Sequence, residues 1–179
     1  VSALTLEDTA LPLVYGSPGE NLISTEEMVA KLRAALEART DSQTVIVGRT
    51  HALRTHGLDE AVARVRAFAA TGVDAIFVVN AGGEDNLRAI REASGGLPLM
   101  LGGPDTGLTD AELGSLGVRV VIRGHATLQA TVKAIHDVLS NQAKGKPASE
   151  VSGLLAPGAL MDIALGTEAY DRWRSDYLG

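Results

Sequence analysis

The sequence predicts an α/β protein built on a parallel β-sheet. Short apolar runs rich in β-branched residues alternate with segments of helical periodicity five times along the chain, and several runs stop abruptly at charged residues. Short apolar runs bounded by polar residues are typical of strands that are buried on both faces. Strict alternation of strand and helix implies a parallel sheet with right-handed crossover connections.

The elements follow one another in a regular order. Ser24 and Glu27 form a predicted capping box that begins the first helix, and Gly72 occupies the position that commonly ends the second. The predicted strands are residues 1–6, 44–48, 75–79, 97–101 and 119–122, and the predicted helices begin near residues 24, 58, 84, 110 and 126.

The composition limits the classes of function. The chain has 179 residues, of which 45% are hydrophobic and 21% are charged, a balance typical of a globular domain. A net charge of −6 without a basic cluster argues against nucleic acid as a partner. The absence of cysteine excludes disulfides, thiolate metal sites and cysteine nucleophiles. With no signal peptide and no apolar run near the roughly 20 residues of a membrane helix, we expect no membrane partner and a cytoplasmic location.

Polar residues follow the predicted strands at their carboxyl ends, where parallel α/β folds place their ligand chemistry. Glu7 and Asp8 follow the first strand, Arg49 the second, Asn80 the third and His125 the fifth. The guanidinium of an arginine at such a place is a planar, permanently charged fork that suits a carboxylate or a phosphate. The alternative role for Arg49 is a salt bridge to a neighbouring helix, and position alone does not decide between the two.

Five βα units are compatible with two architectures. A complete doubly wound domain is one, since five units alone cannot close a barrel. Part of an eight-stranded barrel is the other, because polar residues at the ends of several strands would form a ring on one rim.

Several segments resemble, in order, the isocitrate lyase/phosphoenolpyruvate mutase superfamily. The resemblance covers nearly all of residues 1–142. It lies in residues 3–9 (ALTLEDT), 45–50 (VIVGRT) and 72–78 (GVDAIFV), and residues 116–121 (LGVRVV) with 124–126 (GHA) are most similar to its oxaloacetate decarboxylase branch.

This resemblance implies a TIM-type (β/α) barrel of which the last five βα units are present. Residues 1–143 would form the C-terminal portion of the barrel, and residues 144–179 a helical segment for packing or subunit contact. The first half of the superfamily's barrel, with its aspartate-rich strand end, has no counterpart here, and the sequence begins without Met inside a predicted strand. We therefore expect a fragment of a longer protein, with a truncated, inactive product as the alternative.

The resemblance also implies a Mg²⁺-dependent carbon–carbon lyase (Mn²⁺ being possible) that acts on a small α-keto acid. The leading reaction is decarboxylation of oxaloacetate through a pyruvate enolate, whose charge the metal would stabilise. Residues 14–19 contain no cysteine and the third strand ends in Val79 and Asn80 rather than glutamate, and both departures argue against isocitrate cleavage. The alternatives are a phosphonopyruvate-type mutase or hydrolase and a non-catalytic, doubly wound binding domain.

The first group of implied roles concerns the metal and the substrate carboxylate. Glu7 would hold the metal through water, and Asp8 is a second, weaker metal candidate. Their structural alternatives are a hydrogen bond to a neighbouring strand end for Glu7 and ordering of the adjacent loop for Asp8. Arg49 would pair with the substrate carboxylate and fix the reacting geometry.

The second group concerns proton transfer and the rest of the pocket. His125 would contact the departing carboxylate or protonate the enolate, its alternative being a histidine that begins a helix. Thr50 and Asn80 are predicted to hydrogen-bond the substrate. His51 and His56 are expected to be solvated. Trp173 is expected to contact a neighbouring subunit in a homo-oligomer, either a dimer or a tetramer.

Overall fold

The computed structural model describes residues 1–12, 15, 21–103 and 106–178. The chain divides into two compact units, Val1–Gly124 and His125–Gly179. The first unit contains a parallel sheet whose strand order is the same as the order along the chain. Its strands are β1 (Ala3–Glu7), β2 (Val45–Thr50), β3 (Ala75–Val79), β4 (Leu99–Gly102) and β5 (Val118–Ile122).

This strand order decides between the two predicted architectures. A doubly wound sheet reverses its order at a switch point, whereas this sheet runs from β1 to β5 without reversal. The doubly wound alternative is therefore wrong. The sequential order is that of a barrel wall, which confirms the predicted barrel-type α/β fold.

Helices connect the strands of the first unit. α1 begins after Ser24, whose hydroxyl accepts a hydrogen bond from the N–H of Glu27 at 3.1 Å. The short helix α2 starts one residue after β2 ends, with His51 between them. The helices of this unit are α1 (Thr25–Ala38), α2 (Ala52–Thr55), α3 (Leu58–Ala69), α4 (Glu84–Ala93) and α5 (Asp110–Ser115).

Each strand presents one face to the helices and the other to the inner side of the sheet, because successive side chains alternate. On β2, Ile46 lies in the large core with Leu32 of α1 and Phe68 of α3. The inner face carries a separate apolar cluster of buried residues around Val47 and Phe77. Position 49 therefore lies on the inner face and position 50 on the helix side.

The observed bounds agree with the predictions for β3, α4 and α5, while those of β1, β2, β4 and β5 differ by one or two residues. β2 extends to Thr50 instead of ending at Gly48, so that Arg49 and Thr50 lie within the ladder beside Phe77 and Val78. β4 begins at Leu99 rather than at residue 97, because the N–H of Leu97 still donates to the Ser94 carbonyl in the turn that ends α4.

The second unit is helical. Its α-helices are α6 (Ala126–Ala143), α7 (Ala148–Val151), α8 (Gly158–Leu165) and α9 (Thr167–Leu178). The second unit begins at His125 and includes α6, whereas the sequence predicted a boundary near residue 143. That predicted domain boundary remains a prediction. In the described part of the chain no single helix is long and apolar enough to cross a membrane; the pair Ala148–Leu154 and Gly158–Leu165, bent by 55°, meets that requirement jointly, by length and composition only.

Candidate active site

Glu7 and Arg49 lie side by side on the inner face of the sheet. They are register partners at the ends of β1 and β2, and Nε of Arg49 lies 3.3 Å from Oε2 of Glu7. The Arg49 guanidinium carbon lies 4.8 Å from the centroid of the Phe77 ring, within range of a cation–π interaction. Both side chains are about 30% exposed, so a ligand can reach them while the apolar inner face reduces screening by water.

His51 is the site residue that sequence reasoning missed. The expectation that it is solvated is wrong, since its side chain is only 8% exposed. Its Nε2 lies 3.0 Å from Nε of Arg49 and 3.5 Å from Oε2 of Glu7. The sequence did contain a signal for this position, because side chains two residues apart in a strand lie on the same face. Val47, Arg49 and His51 follow one another at that spacing. His56, which was also expected to be solvated, is exposed.

Asp8 lies on the opposite side of the strand end and is completely buried. Its carboxylate accepts hydrogen bonds from the hydroxyl of Thr50 at 2.6 Å and from the backbone N–H of His51 at 3.0 Å. Nη1 of Arg64, from α3, lies 3.2 Å from the same carboxylate. Arg64 also donates to Glu60. The arrangement ties β1, β2 and α3 together at one point.

These contacts bear on two predicted roles. Both carboxylate oxygens of Asp8 already have donors, as expected if this residue orders its surroundings. The Thr50 hydroxyl donates to Asp8 and accepts from the N–H of Ala52, and it is fully buried on the helix side. Metal binding by Asp8 and substrate binding by Thr50 remain predictions.

Asn80 and His125 occupy the ends of β3 and β5. Asn80 is half-buried and has a left-handed backbone with φ +59°, and its N–H donates to the carbonyl of Gly102. His125 is exposed and begins the second unit, where its carbonyl accepts from Gln129 in the first turn of α6. Their predicted roles are not tested by these contacts. The segment in which the superfamily's cysteine would fall lies outside the described residues, apart from Tyr15.

The described side chains do not form a complete metal site. Within residues 1–12, 15, 21–103 and 106–178, no group of three or more His, Asp or Glu side chains is arranged to hold a metal ion. Glu7 supplies one inner-face carboxylate, and its Oε2 faces Arg49 and His51. A pocket of about 300 Å³ lies away from Glu7, Arg49 and His51; it is lined by residues of α5 and β5 and by Arg123, which follows β5.

Comparison with known proteins gives the same family from sequence and from structure. The sequence profile of the phosphoenolpyruvate phosphomutase family matches residues 1–142. An oxaloacetate decarboxylase of Rhodopseudomonas palustris (strain HaA2) is 40% identical over 179 residues, which cover 99% of this chain and 61% of that protein. The chain spans between 59% and 62% of the length of the first curated relatives that it matches.

Solved structures extend the comparison. A phosphoenolpyruvate phosphomutase from Streptomyces platensis subsp. rosaceus shares the fold, with a TM-score of 0.73 and 24% identity over 100% of this chain and 64% of that one. A phosphonopyruvate hydrolase in complex with oxalate and Mg²⁺ has a TM-score of 0.69 and 29% identity, covering 99% of this chain and 63% of that one. With the sequential parallel sheet and the matched residues, these likenesses show that the chain belongs to the phosphoenolpyruvate phosphomutase family, within the isocitrate lyase/phosphoenolpyruvate mutase superfamily.

Proposed function

We propose that the protein carrying this chain is a carbon–carbon lyase that acts on a small α-keto acid, and that its leading reaction is decarboxylation of oxaloacetate. The observation that carries the proposal is the pairing of Glu7 and Arg49 on the inner face, at the carboxyl ends of adjacent parallel strands. The 40% identity to an oxaloacetate decarboxylase supports the choice of substrate.

The reaction breaks the bond between the departing carboxylate and the carbon next to the ketone. Carbon dioxide leaves, the electron pair remains as a pyruvate enolate, and a proton then adds to the terminal carbon to form the methyl group of pyruvate. Arg49 binds a carboxylate of the substrate and holds it in place. His125 contacts the departing carboxylate or delivers the proton, and Asn80 hydrogen-bonds the substrate.

Thr50, the predicted substrate-binding residue, also supports the pocket from behind in this proposal. Its hydroxyl donates to the buried Asp8 carboxylate, which also accepts from the N–H of His51. These bonds hold the end of β2 from the helix side, while Arg49 faces the ligand. Asp8 has the same supporting role, because its oxygens are committed to protein donors.

A divalent cation, Mg²⁺ or Mn²⁺, is part of the proposal, with Glu7 as a ligand through water. Support comes from the phosphonopyruvate hydrolase that was solved with oxalate and Mg²⁺. We expect EDTA to abolish pyruvate formation by the full-length gene product and added Mg²⁺ to restore it. Activity that survives exhaustive chelation would refute the metal requirement.

The test of the function is a pyruvate-release assay on the full-length gene product, corrected for spontaneous decarboxylation of oxaloacetate. Arg49→Met should lower kcat/KM by about 100-fold, because it removes a charge-assisted, bidentate contact. Arg33→Met is the matched control, since Arg33 is an exposed arginine of α1 and should leave the rate unchanged. Pyruvate release at the uncatalysed rate would refute the proposed decarboxylase.

Phosphonopyruvate chemistry is the second candidate, favoured by the 29% identity to a phosphonopyruvate hydrolase. The same assay with phosphonopyruvate, read by phosphate and pyruvate release, separates hydrolysis from decarboxylation. Consumption of phosphonopyruvate without phosphate release indicates the mutase reaction. A protein inactive on both substrates would favour a non-catalytic binding role.

We also propose a homo-oligomer, dimeric or tetrameric, located in the cytoplasm. The support for the oligomer is a set of exposed apolar side chains that share one face of α6 at helical spacing. This stripe consists of Leu128, Val132, Ile135 and Leu139, each more than half exposed. Trp173 of α9 is also exposed. Sedimentation of the full-length gene product measures the subunit number, and a monomer at all concentrations would refute the oligomer.

A further inference from the structure

The imidazole of His51 contacts both charged groups of the candidate site. Its Nε2 lies 3.0 Å from Nε of Arg49 and 3.5 Å from Oε2 of Glu7. The first distance is that of a hydrogen bond, and chemistry dictates its direction. Arg49 carries a proton on Nε and has no acceptor, so the guanidinium donates and the imidazole accepts.

This contact assigns the tautomer of His51. An Nε2 that accepts from Arg49 carries no proton, so the ring is neutral and its proton is on Nδ1. The ring is nearly buried, and the backbone of the same residue is held by its N–H bond to Asp8 at 3.0 Å. The acceptor is thus presented to Arg49 from a fixed point of the scaffold.

The contact also orients the guanidinium. Nε of Arg49 faces His51 and Glu7, and one face of the group lies over Phe77. Within the described part of the chain, no side chain or carbonyl accepts a hydrogen bond from Nη1 or Nη2 of Arg49. The two terminal nitrogens therefore form the fork that remains for an incoming carboxylate.

We propose that His51 is a positioning residue that aims the terminal nitrogens of Arg49 at the substrate carboxylate. By holding Nε, it removes rotational freedom that binding would otherwise have to restrict, and so it increases affinity for a planar carboxylate. This inference rests on the proposed function, since it needs Arg49 to bind a substrate carboxylate. His51 itself touches Arg49, and its effect on the substrate is transmitted through that residue.

Two substitutions in the full-length gene product distinguish the effect of the hydrogen-bond acceptor of His51 from the effect of its ring. His51→Phe keeps a planar ring and removes the acceptor, while His51→Gln keeps an oxygen that can accept from Nε of Arg49. We expect H51F to raise both the KM for oxaloacetate and the inhibition constant of oxalate about tenfold, the scale of one lost hydrogen bond. kcat should change less than about threefold, because the carboxylate is bound equally in the ground and transition states. H51Q should recover most of the loss.

The matched control is His56→Phe, an exposed histidine next to the same short helix, which should leave KM unchanged. An active wild type whose KM is unaffected by H51F overturns the inference alone. An inactive wild type overturns the proposed function and with it the role of His51 in substrate binding.

A measurement on the wild type decides the contact without any variant. In ¹⁵N-labelled protein, we expect the NMR signals of His51 to show a proton on Nδ1 and an unprotonated Nε2. We also expect the Nε–H of Arg49 to exchange with water more slowly than that of the exposed Arg33. A proton on Nε2, or rapid exchange of the Arg49 proton, overturns the proposal even if H51F fails to fold.

Discussion

The buried Asp8 carboxylate offers the sharpest test of how this fold holds its candidate site. We consider Asp8→Asn, which keeps the volume of the side chain and removes its charge. The amide oxygen can still accept from the N–H of His51, while the amide nitrogen replaces the oxygen that faces Thr50 and Arg64. The guanidinium of Arg64 then meets a donor where it had an acceptor.

The size of the effect follows from burial. Asp8 is 0% exposed and the Arg64 side chain is 7% exposed, so the charge that remains is shielded from water. Breaking a buried pair by removing one partner costs about 3–5 kcal/mol. Arg64 keeps its contacts with Glu60 and with the carbonyl of Ile23, which places the expected loss near the lower limit, about 3 kcal/mol. That is a large fraction of the roughly 5–15 kcal/mol that stabilises a typical domain.

The assay is urea unfolding followed by far-ultraviolet circular dichroism. Arg64→Met and the double variant complete a mutant cycle, in which we expect a coupling of about 2 kcal/mol between the two side chains. Glu84→Gln is the control, because Glu84 and Arg88 form an exposed pair whose loss should cost less than about 0.5 kcal/mol. A D8N variant whose free energy of unfolding lies within about 1 kcal/mol of the wild type would refute the conclusion that Asp8 holds β1, β2 and α3 together.

Three further predictions concern the sheet, a helix end and the second unit. Gly102→Ala should cost about 1–3 kcal/mol in urea unfolding, since its Cβ would lie 2.9 Å from the Phe77 ring. Hydrogen bonds from the backbone N–H and the hydroxyl of Thr109 hold the pKa of Glu112 below its ordinary value. The stabilisation by the ionised Glu112 carboxylate is present above the pKa of the unfolded chain and is lost as pH falls through the lowered pKa of the folded protein. The difference in free energy of unfolding between wild type and Thr109→Val should therefore narrow from about pH 7 to about pH 3. Ile135→Glu should shift the full-length gene product toward smaller species in sedimentation.

Each of these predictions has its own contradicting result. Gly114→Ala is the control for G102A, because among the described residues no atom outside its chain neighbours and its own helix backbone lies within 4 Å of the added Cβ. Equal stabilities of the two variants would contradict the close approach to Phe77. A difference between wild type and T109V that is constant with pH would show that Glu112 does not titrate through this contact. An unchanged sedimentation coefficient for I135E would remove α6 from the proposed interface.

Much of the fold could be predicted from the chain because its signals are local. The apolar run at residues 75–79 was predicted as a buried strand and forms β3, and α4 and α5 have the predicted bounds. β2 was predicted two residues short, because Arg49 and Thr50 are polar and strand patterns are recognised by apolar residues. Pairing with β3 continues the strand through both of them.

The site was predictable only in part. Adjacent parallel strands bring their carboxyl ends together, so the proximity of Glu7 and Arg49 followed from the strand pattern alone. The burial of His51 did not, because this residue is the single link between β2 and α2 and so stays beside the sheet instead of lying in an open loop. The contact between Asp8 and Arg64 did not follow from the sequence either, because the two residues lie 56 positions apart along the chain.

The sequence by itself determined the order and type of the elements, the polar residues at the strand ends and the family, because all of these depend on periodicity and on motifs along the chain. Only the tertiary structure decided which face each polar side chain occupies and what it contacts. Glu7 and Asp8 are neighbours in sequence, yet one faces Arg49 on the inner side and the other faces Arg64 among the helices. The physical reason is that alternation separates adjacent side chains, while their partners come from distant segments that only packing brings together.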